Sequence, residues 1–151
     1  MQPDASVGHS LTPHLVVRGA AKAIQFYVDA FGAAEVFRLT EPSGKVGHAE
    51  IRVGDGTLML ADEYPDFGAL SPSTIGGSPV SMHLYVDDVD ASLARVVALG
   101  ATVLRQAKDE FYGDRTATMV DPFGHRWQLS MRKETVSPEE MQRRWSAMMG
   151  L

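Results

Sequence analysis

Cysteine is missing altogether from this chain of 151 residues. That excludes disulfides, thiolate metal sites and cysteine nucleophiles together, and it fits a reducing, cytoplasmic setting. Long apolar runs are missing as well. Asp, Arg, Gly or Gln breaks each of them within a few residues, far short of the roughly 20 that a bilayer crossing requires, so no membrane partner is expected. There is no basic stripe either: 14 Lys and Arg are scattered among 19 Asp and Glu, for a net charge of −5. A groove that tracks a phosphate backbone needs the opposite balance, so no nucleic-acid partner is expected. GxGxxG and Walker patterns do not occur, and "GDGTLML" has too few glycines to cradle a phosphate. The first ten residues, "MQPDASVGHS", have an acid where a secretory leader has a basic start, and they read as a tail (1–10) that includes His9. The remainder, with 44% hydrophobic and 22% charged residues, has the composition of one soluble domain with a real core.

The chain repeats itself. "TPHLVVRGAAKAIQFYVDAFGAA" (12–34) and "SMHLYVDDVDASLARVVALGATV" (81–103) superpose when His14 is set on His83, a spacing of 69. Leu15, Val17 and Ile24 then fall on Leu84, Val86 and Leu93. Each copy passes from an alternating segment to apolar positions at helical spacing, which predicts a strand followed by an amphipathic helix. Asp87 and Asp88 offer N-cap chemistry to the second helix, and Gly32 and Gly100 stand where a helix ends in a left-handed residue. Strand-like text follows each helix: "AAEVFRLT", "GHAEIRVG" and "TLMLADE" in the first half, "ATVLRQA", "RTATMVD" and "RWQLSM" in the second. The turns "GDG" (54–56) and "DPFG" (121–124) join the last two strands of each half.

The expected fold class is therefore α+β, with two tandem βαβββ modules over 11–63 and 80–131. The Pro-, Gly- and Ser-rich stretch up to residue 79 reads as a connecting loop (64–79) long enough to serve as a lid. In the last segment (132–151), Ser137, Pro138 and Glu140 form a capping-box signature that predicts a C-terminal helix.

Two such modules, with "AIQFYVDAFGA" at a helix end and "DPFGHRW" at a turn, resemble the vicinal-oxygen-chelate superfamily over about residues 11–131. That superfamily includes glyoxalase I, bleomycin-resistance proteins, fosfomycin-resistance enzymes and extradiol dioxygenases. The resemblance implies a curved mixed sheet around a ligand cleft, and a homodimer. Strand parity says what faces that cleft. Leu15 and Val17, like Leu84 and Val86, share the apolar face that must cover a helix, so His14 and His83 point the other way. Met59 and Gln128 do the same on the last strands. The expected ligand pocket comprises His14, Met59, Ser81, His83, Tyr85 and Gln128, with Tyr112 and Arg115 at its mouth. Arg115 is read there either as a fork for a carboxylate or as half of a local Asp114–Arg115 turn.

Metal-dependent members take one ligand from each of four strands, and the resemblance puts Thr12, Met59, Ser81 and Gln128 at those positions. A thioether, two hydroxyls and an amide are poor donors for zinc, nickel or iron. The primary expectation is therefore a small-molecule-binding protein without the usual metal-ligand set and with no cofactor. The alternative is a lyase, isomerase or dioxygenase with a divalent metal displaced onto His14, His83 and Glu50, with His48 as another candidate ligand. Glu50 beside a histidine could also act as a base without metal. His125 and Trp127 read as structural, and the methionines of the last helix as packing groups.

Overall fold

The computed structural model describes residues 10–151, so the expected tail lies outside the described residues except for Ser10. The chain divides into two compact units. The first takes the described residues up to Val80 together with Asp121–His125; the second takes Ser81–Val120 and Arg126–Leu151. Val80, expected to open the second module, is grouped with the first unit, and so is the "DPFG" turn.

In the first unit, β1 (His14–Val17) leads into α1 (Ala20–Phe31), then β2 (Ala34–Thr40), β3 (Val46–Val53) and β4 (Gly56–Asp62). The sheet order is β1-β4-β3-β2, with β1 parallel to β4 and the other pairs antiparallel. A parallel pair needs a long connection, and α1 with the two following strands supplies it. Leu15, Val17, Ile51, Val53, Leu58 and Leu60 are buried, as are Ala20, Ala23, Ile24 and Tyr27 of α1. The period of 2 in the strands and 3.6 in the helix meet in one core.

Gly32 closes α1 with φ of 68°, as expected. Its start has no side-chain cap of its own, because the N-cap is Gly19. Asp62, from the end of β4, takes over that role: Oδ1 accepts the backbone N–H of Gly19 and of Ala20 at 2.8 Å each, while Oδ2 accepts that of Val46 at 2.8 Å. One carboxylate therefore fixes the helix start and the start of β3. Asp62→Ala should lower the unfolding free energy in urea by about 1–3 kcal/mol, and Asp62→Asn, which keeps an acceptor, by less. Equal losses in the two variants would mean that these bonds contribute nothing.

The connecting stretch carries more structure than a loop. Tyr64 and Ala69 form a bridge around a 3₁₀ turn at Pro65–Phe67, and α2 (Pro72–Ile75) follows. Glu63 organises it by accepting from the Thr74 hydroxyl, from Ser71 N–H at 2.6 Å and from Arg18 Nε at 3.1 Å. The Thr74 bond first, then Ser71 and Arg18, draws the Glu63 carboxyl down to about 2. The turn Asp121–His125 is anchored in the same unit. Tyr27 donates to Asp121 at 2.5 Å, Phe26 meets Phe123 edge-on, and His125 Nε2 lies 2.9 Å from the Val16 carbonyl. His125 is structural, as its parity implied.

The second unit repeats the plan with β5 (Ser81–Tyr85), α3 (Val89–Ala98), β6 (Thr102–Asp109), β7 (Asp114–Val120) and β8 (Arg126–Arg132), in the order β5-β8-β7-β6. Of the two candidate caps, Asp88 does the work, accepting from Ala91 N–H at 3.0 Å. Trp127, Leu129, Met119 and Val96 are fully buried in its core. The last helix, α4 (Pro138–Met149), starts at Ser137, whose hydroxyl accepts from Glu140 N–H at 3.2 Å. Only half of the capping box forms, because the Glu140 carboxylate turns to Arg143 and Arg144, which hold it down at about 2.

Candidate functional site

The face of each sheet opposite its helix is where strand parity put the candidate residues. Register makes the two faces comparable. In the first unit His14 stands opposite Met59, Met59 opposite Glu50 and Glu50 opposite Phe37. In the second, His83 stands opposite Gln128, Gln128 opposite Thr118 and Thr118 beside Arg105. The spacing of 69 that aligns the histidines also aligns Met59 with Gln128. Neither Thr12 nor Ser81 is in those rows: Thr12 precedes β1, and Ser81 pairs with Arg126.

On the first face, the side chains of His14 and His48 stack with ring centroids 5.7 Å apart and planes at 25°. Phe37 lies 5.7 Å from His48 on the other side. Partial desolvation first, then the neighbouring His48, lowers the His14 pKa below its ordinary 6.5. A histidine with a depressed folded value binds fewer protons than the unfolded chain, so it opposes folding as the pH falls below about 6.5. His14→Gln should therefore flatten the stability–pH profile between pH 7 and 5; an unchanged slope would show that the imidazole pair carries no such coupling.

Glu50 is the least expected feature of this face. It is 7% exposed, yet it makes no hydrogen bond or ion pair with any described residue. Its stem is buried while its carboxyl oxygens still reach solvent, so water serves them until a donor arrives, and such open carboxyls on a sheet face are places where a ligand can pair.

On the second face the polar groups are tied to one another. His83 Nε2 lies 2.8 Å from Ser130 Oγ, and its ring stacks on Tyr85 with centroids 5.1 Å apart. Tyr85 donates to Asp114 Oδ2 at 2.6 Å, and Arg132 Nε donates to the other oxygen at 2.7 Å. Arg132 also reaches the Tyr85 hydroxyl at 3.2 Å, and these contacts raise its pKa. Gln128 Nε2 donates to the Tyr112 hydroxyl at 3.2 Å, which brings together two of the candidate residues. Tyr85 itself is 52% exposed while Asp114 beneath it is 2% exposed: a solvent-facing ring stands on a buried, fully engaged carboxylate.

Arg115 departs from both expectations. It lies within β7 with the parity of Ala117 and Met119, on the helix side of the sheet. Its fork is closed on Asp90 of α3, at 2.8 and 3.0 Å, and on Asp109 at 3.1 Å, which raises its pKa. It is neither free to grip a ligand nor paired with Asp114. Ser130, Asp114 and Arg132 bond directly to the candidate residues His83 and Tyr85, and the sequence reading did not count them among the candidates. For Ser130 and Arg132 a signal existed, since they lie two and four residues beyond Gln128 on the same strand face.

The family's divalent metal does not fit the donors present. The four strand positions offer two hydroxyls, a thioether and an amide. For the displaced alternative, Met59 separates His14 from Glu50 in the sheet, and no three His, Asp or Glu side chains among the described residues group as a metal ion requires.

Comparison with known proteins agrees with this architecture. Residues 6–129 match the family described as Glyoxalase/Bleomycin resistance protein/Dioxygenase superfamily. An uncharacterized Mycobacterium bovis protein, Mb0911c, is 44% identical over 140 residues, covering 91% of this chain and 92% of that one. Among solved structures, an Arabidopsis thaliana gene product, AT5G48480, superposes with a TM-score of 0.66 at 25% identity, over 82% of this chain and 99% of its own. TioX from Micromonospora sp. ML1 superposes with a TM-score of 0.61 at 24% identity, over 84% and 98% of the two chains.

Proposed function

Because this chain belongs to the Glyoxalase/Bleomycin resistance protein/Dioxygenase superfamily, we propose that it is a small-molecule-binding member that sequesters or carries an aromatic or hydrophobic ligand. The observation that carries this reading is the second sheet face. His83 is held there by Ser130, Tyr85 by Asp114 and Arg132, and Gln128 and Tyr112 by each other, so polar groups are oriented before any ligand arrives and little ordering entropy remains to be lost on binding. The donor chemistry at the family's metal positions favours binding over metal-dependent turnover. The proposal includes a homodimer in the cytoplasm. Trp145, Met148 and Met149, exposed on α4, are the groups offered to the second copy.

The test is a screen of aromatic antibiotics by thermal shift and calorimetry, run beside a metal-retention assay. Wild type and a His14→Ala, His83→Ala double variant are incubated with Fe²⁺, Ni²⁺, Zn²⁺ or Mn²⁺ and desalted. Saturable binding with no retained metal is the expected result. Near-stoichiometric metal that disappears in the double variant would overturn it in favour of the metal-dependent lyase, isomerase or dioxygenase.

A further inference from the structure

The first sheet face holds a mostly buried glutamate whose carboxyl oxygens are paired with no described residue and keep an opening to solvent. Glu50 is 7% exposed and lies in one row with His14, Met59 and Phe37. The groups around it are of the wrong kind to pair with it. Met59 has only a weak sulfur acceptor. Phe37 has none, and the His14–His48 stack keeps His14 biased toward its neutral form. Arg52, the next residue on the same face, is exposed and makes no ion pair with any described residue. The acid sits low while its surroundings are open: His14 is exposed, Phe37 is 39% exposed and Leu39 60%. A ligand reaching this face meets aromatic and imidazole rings first and a carboxyl at their foot.

We propose that Glu50 is the anchor for a planar organic cation, an amidinium or guanidinium carried on an aromatic or apolar body. Such a group supplies two parallel N–H donors to one carboxylate, and its ring lies on Phe37 and His48 where flat surfaces are offered. A metal ion is a poorer match, since no three ligating side chains gather here. The pseudo-equivalent position in the second unit is Thr118, opposite Gln128, so this preference belongs to the first face alone. The inference rests on the ligand-binding reading only in taking the face to be open to small molecules.

The probes are benzamidine and benzamide, which share shape and differ in charge, titrated into the ¹⁵N-labelled full chain and followed by amide shifts resolved for each unit. Benzamidine is expected to move the β3 and β4 signals saturably, and benzamide to do so about tenfold more weakly or not at all. Glu50→Gln should weaken benzamidine by about tenfold or more while melting close to wild type, since the side chain keeps its shape and gives up no partner among the described residues. Glu50→Asp, which keeps the charge but draws it back, should fall between them and serves if the Gln variant does not fold. Equal response to both probes, indifference to the Glu50 variants, or no benzamidine response in wild type would each overturn the proposal. If the second unit still binds aromatic ligands in any of those cases, the general binding reading survives; if neither unit binds anything, both fall.

Discussion

Replacing Gly113 by Ala should destabilise the protein by about 2–5 kcal/mol and lower its melting temperature by roughly 5–15 °C. Gly113 has φ of +100°, a conformation that a residue with a Cβ adopts only under strain. Space is closed as well. A Cβ there would stand 2.4 Å from the Glu134 carbonyl oxygen and 3.0 Å from Cγ2 of Val136. The carbonyl cannot easily retreat, because the backbone N–H groups of Lys133 and Glu134 both donate to Gly113 O, at 2.8 and 3.0 Å. The same segment is held from α4, where Arg144 Nη1 donates to the Phe111 carbonyl at 2.9 Å and to Glu134 at 2.6 Å. The hairpin between β6 and β7 is thus clamped between the segment that follows β8 and the last helix. Tyr112 is the neighbour of this glycine, and its hydroxyl meets Gln128 on the sheet face. The substitution should therefore also displace Tyr112, visible as a shift of the Gln128 side-chain amide signals. A variant that melts within a degree or two of wild type, with those signals in place, would show that the hairpin yields easily and that Tyr112 is not positioned by it.

How much of this was legible in the sequence depended on whether a property was local and periodic. The repeat, the strand-helix order and the sharing of one sheet face by His14 with Met59 and by His83 with Gln128 follow from period 2 against period 3.6, and the structure has each of these. Arg115 went astray because parity must be counted from a known strand start. Read as a loop residue it has no face, whereas with β7 beginning at Asp114 it falls on the helix side and meets Asp90, 25 positions earlier in the chain. Register was equally out of reach. The sequence offers Ser130, Asp114 and Arg132 as scattered polar residues, and only the β5-β8-β7 pairing brings them under Tyr85 and His83. Glu50 could be named from its type and strand, but not its isolation, since whether a buried acid has a partner depends on every neighbour at once. The same holds for Asp62 and Glu63, adjacent acids in the chain that organise a helix start and the connecting stretch respectively.

The tie beneath Tyr85 should behave as a single unit. Asp114→Ala removes a carboxylate whose side chain is 3% exposed and leaves Tyr85 and Arg132 to find water, at a cost of about 1–3 kcal/mol. Arg132→Ala removes a side chain that is 55% exposed, yet it strands the buried carboxylate with one donor in place of two, so its cost should be similar despite its exposure. If the groups act together, the double variant will cost less than the sum of the two, by about 1–2 kcal/mol in a double-mutant cycle of urea unfolding. Additive losses would mean that the Arg132 contact is an ordinary surface ion pair of little weight. Binding supplies a second reading of the same cycle. Tyr85 is half exposed and can reach a ligand only where Asp114 and Arg132 leave it, with His83 stacked on its ring. All three variants should then weaken an aromatic ligand on the second face alike, because each frees the same ring, while leaving benzamidine recognition through Glu50 on the first face unchanged.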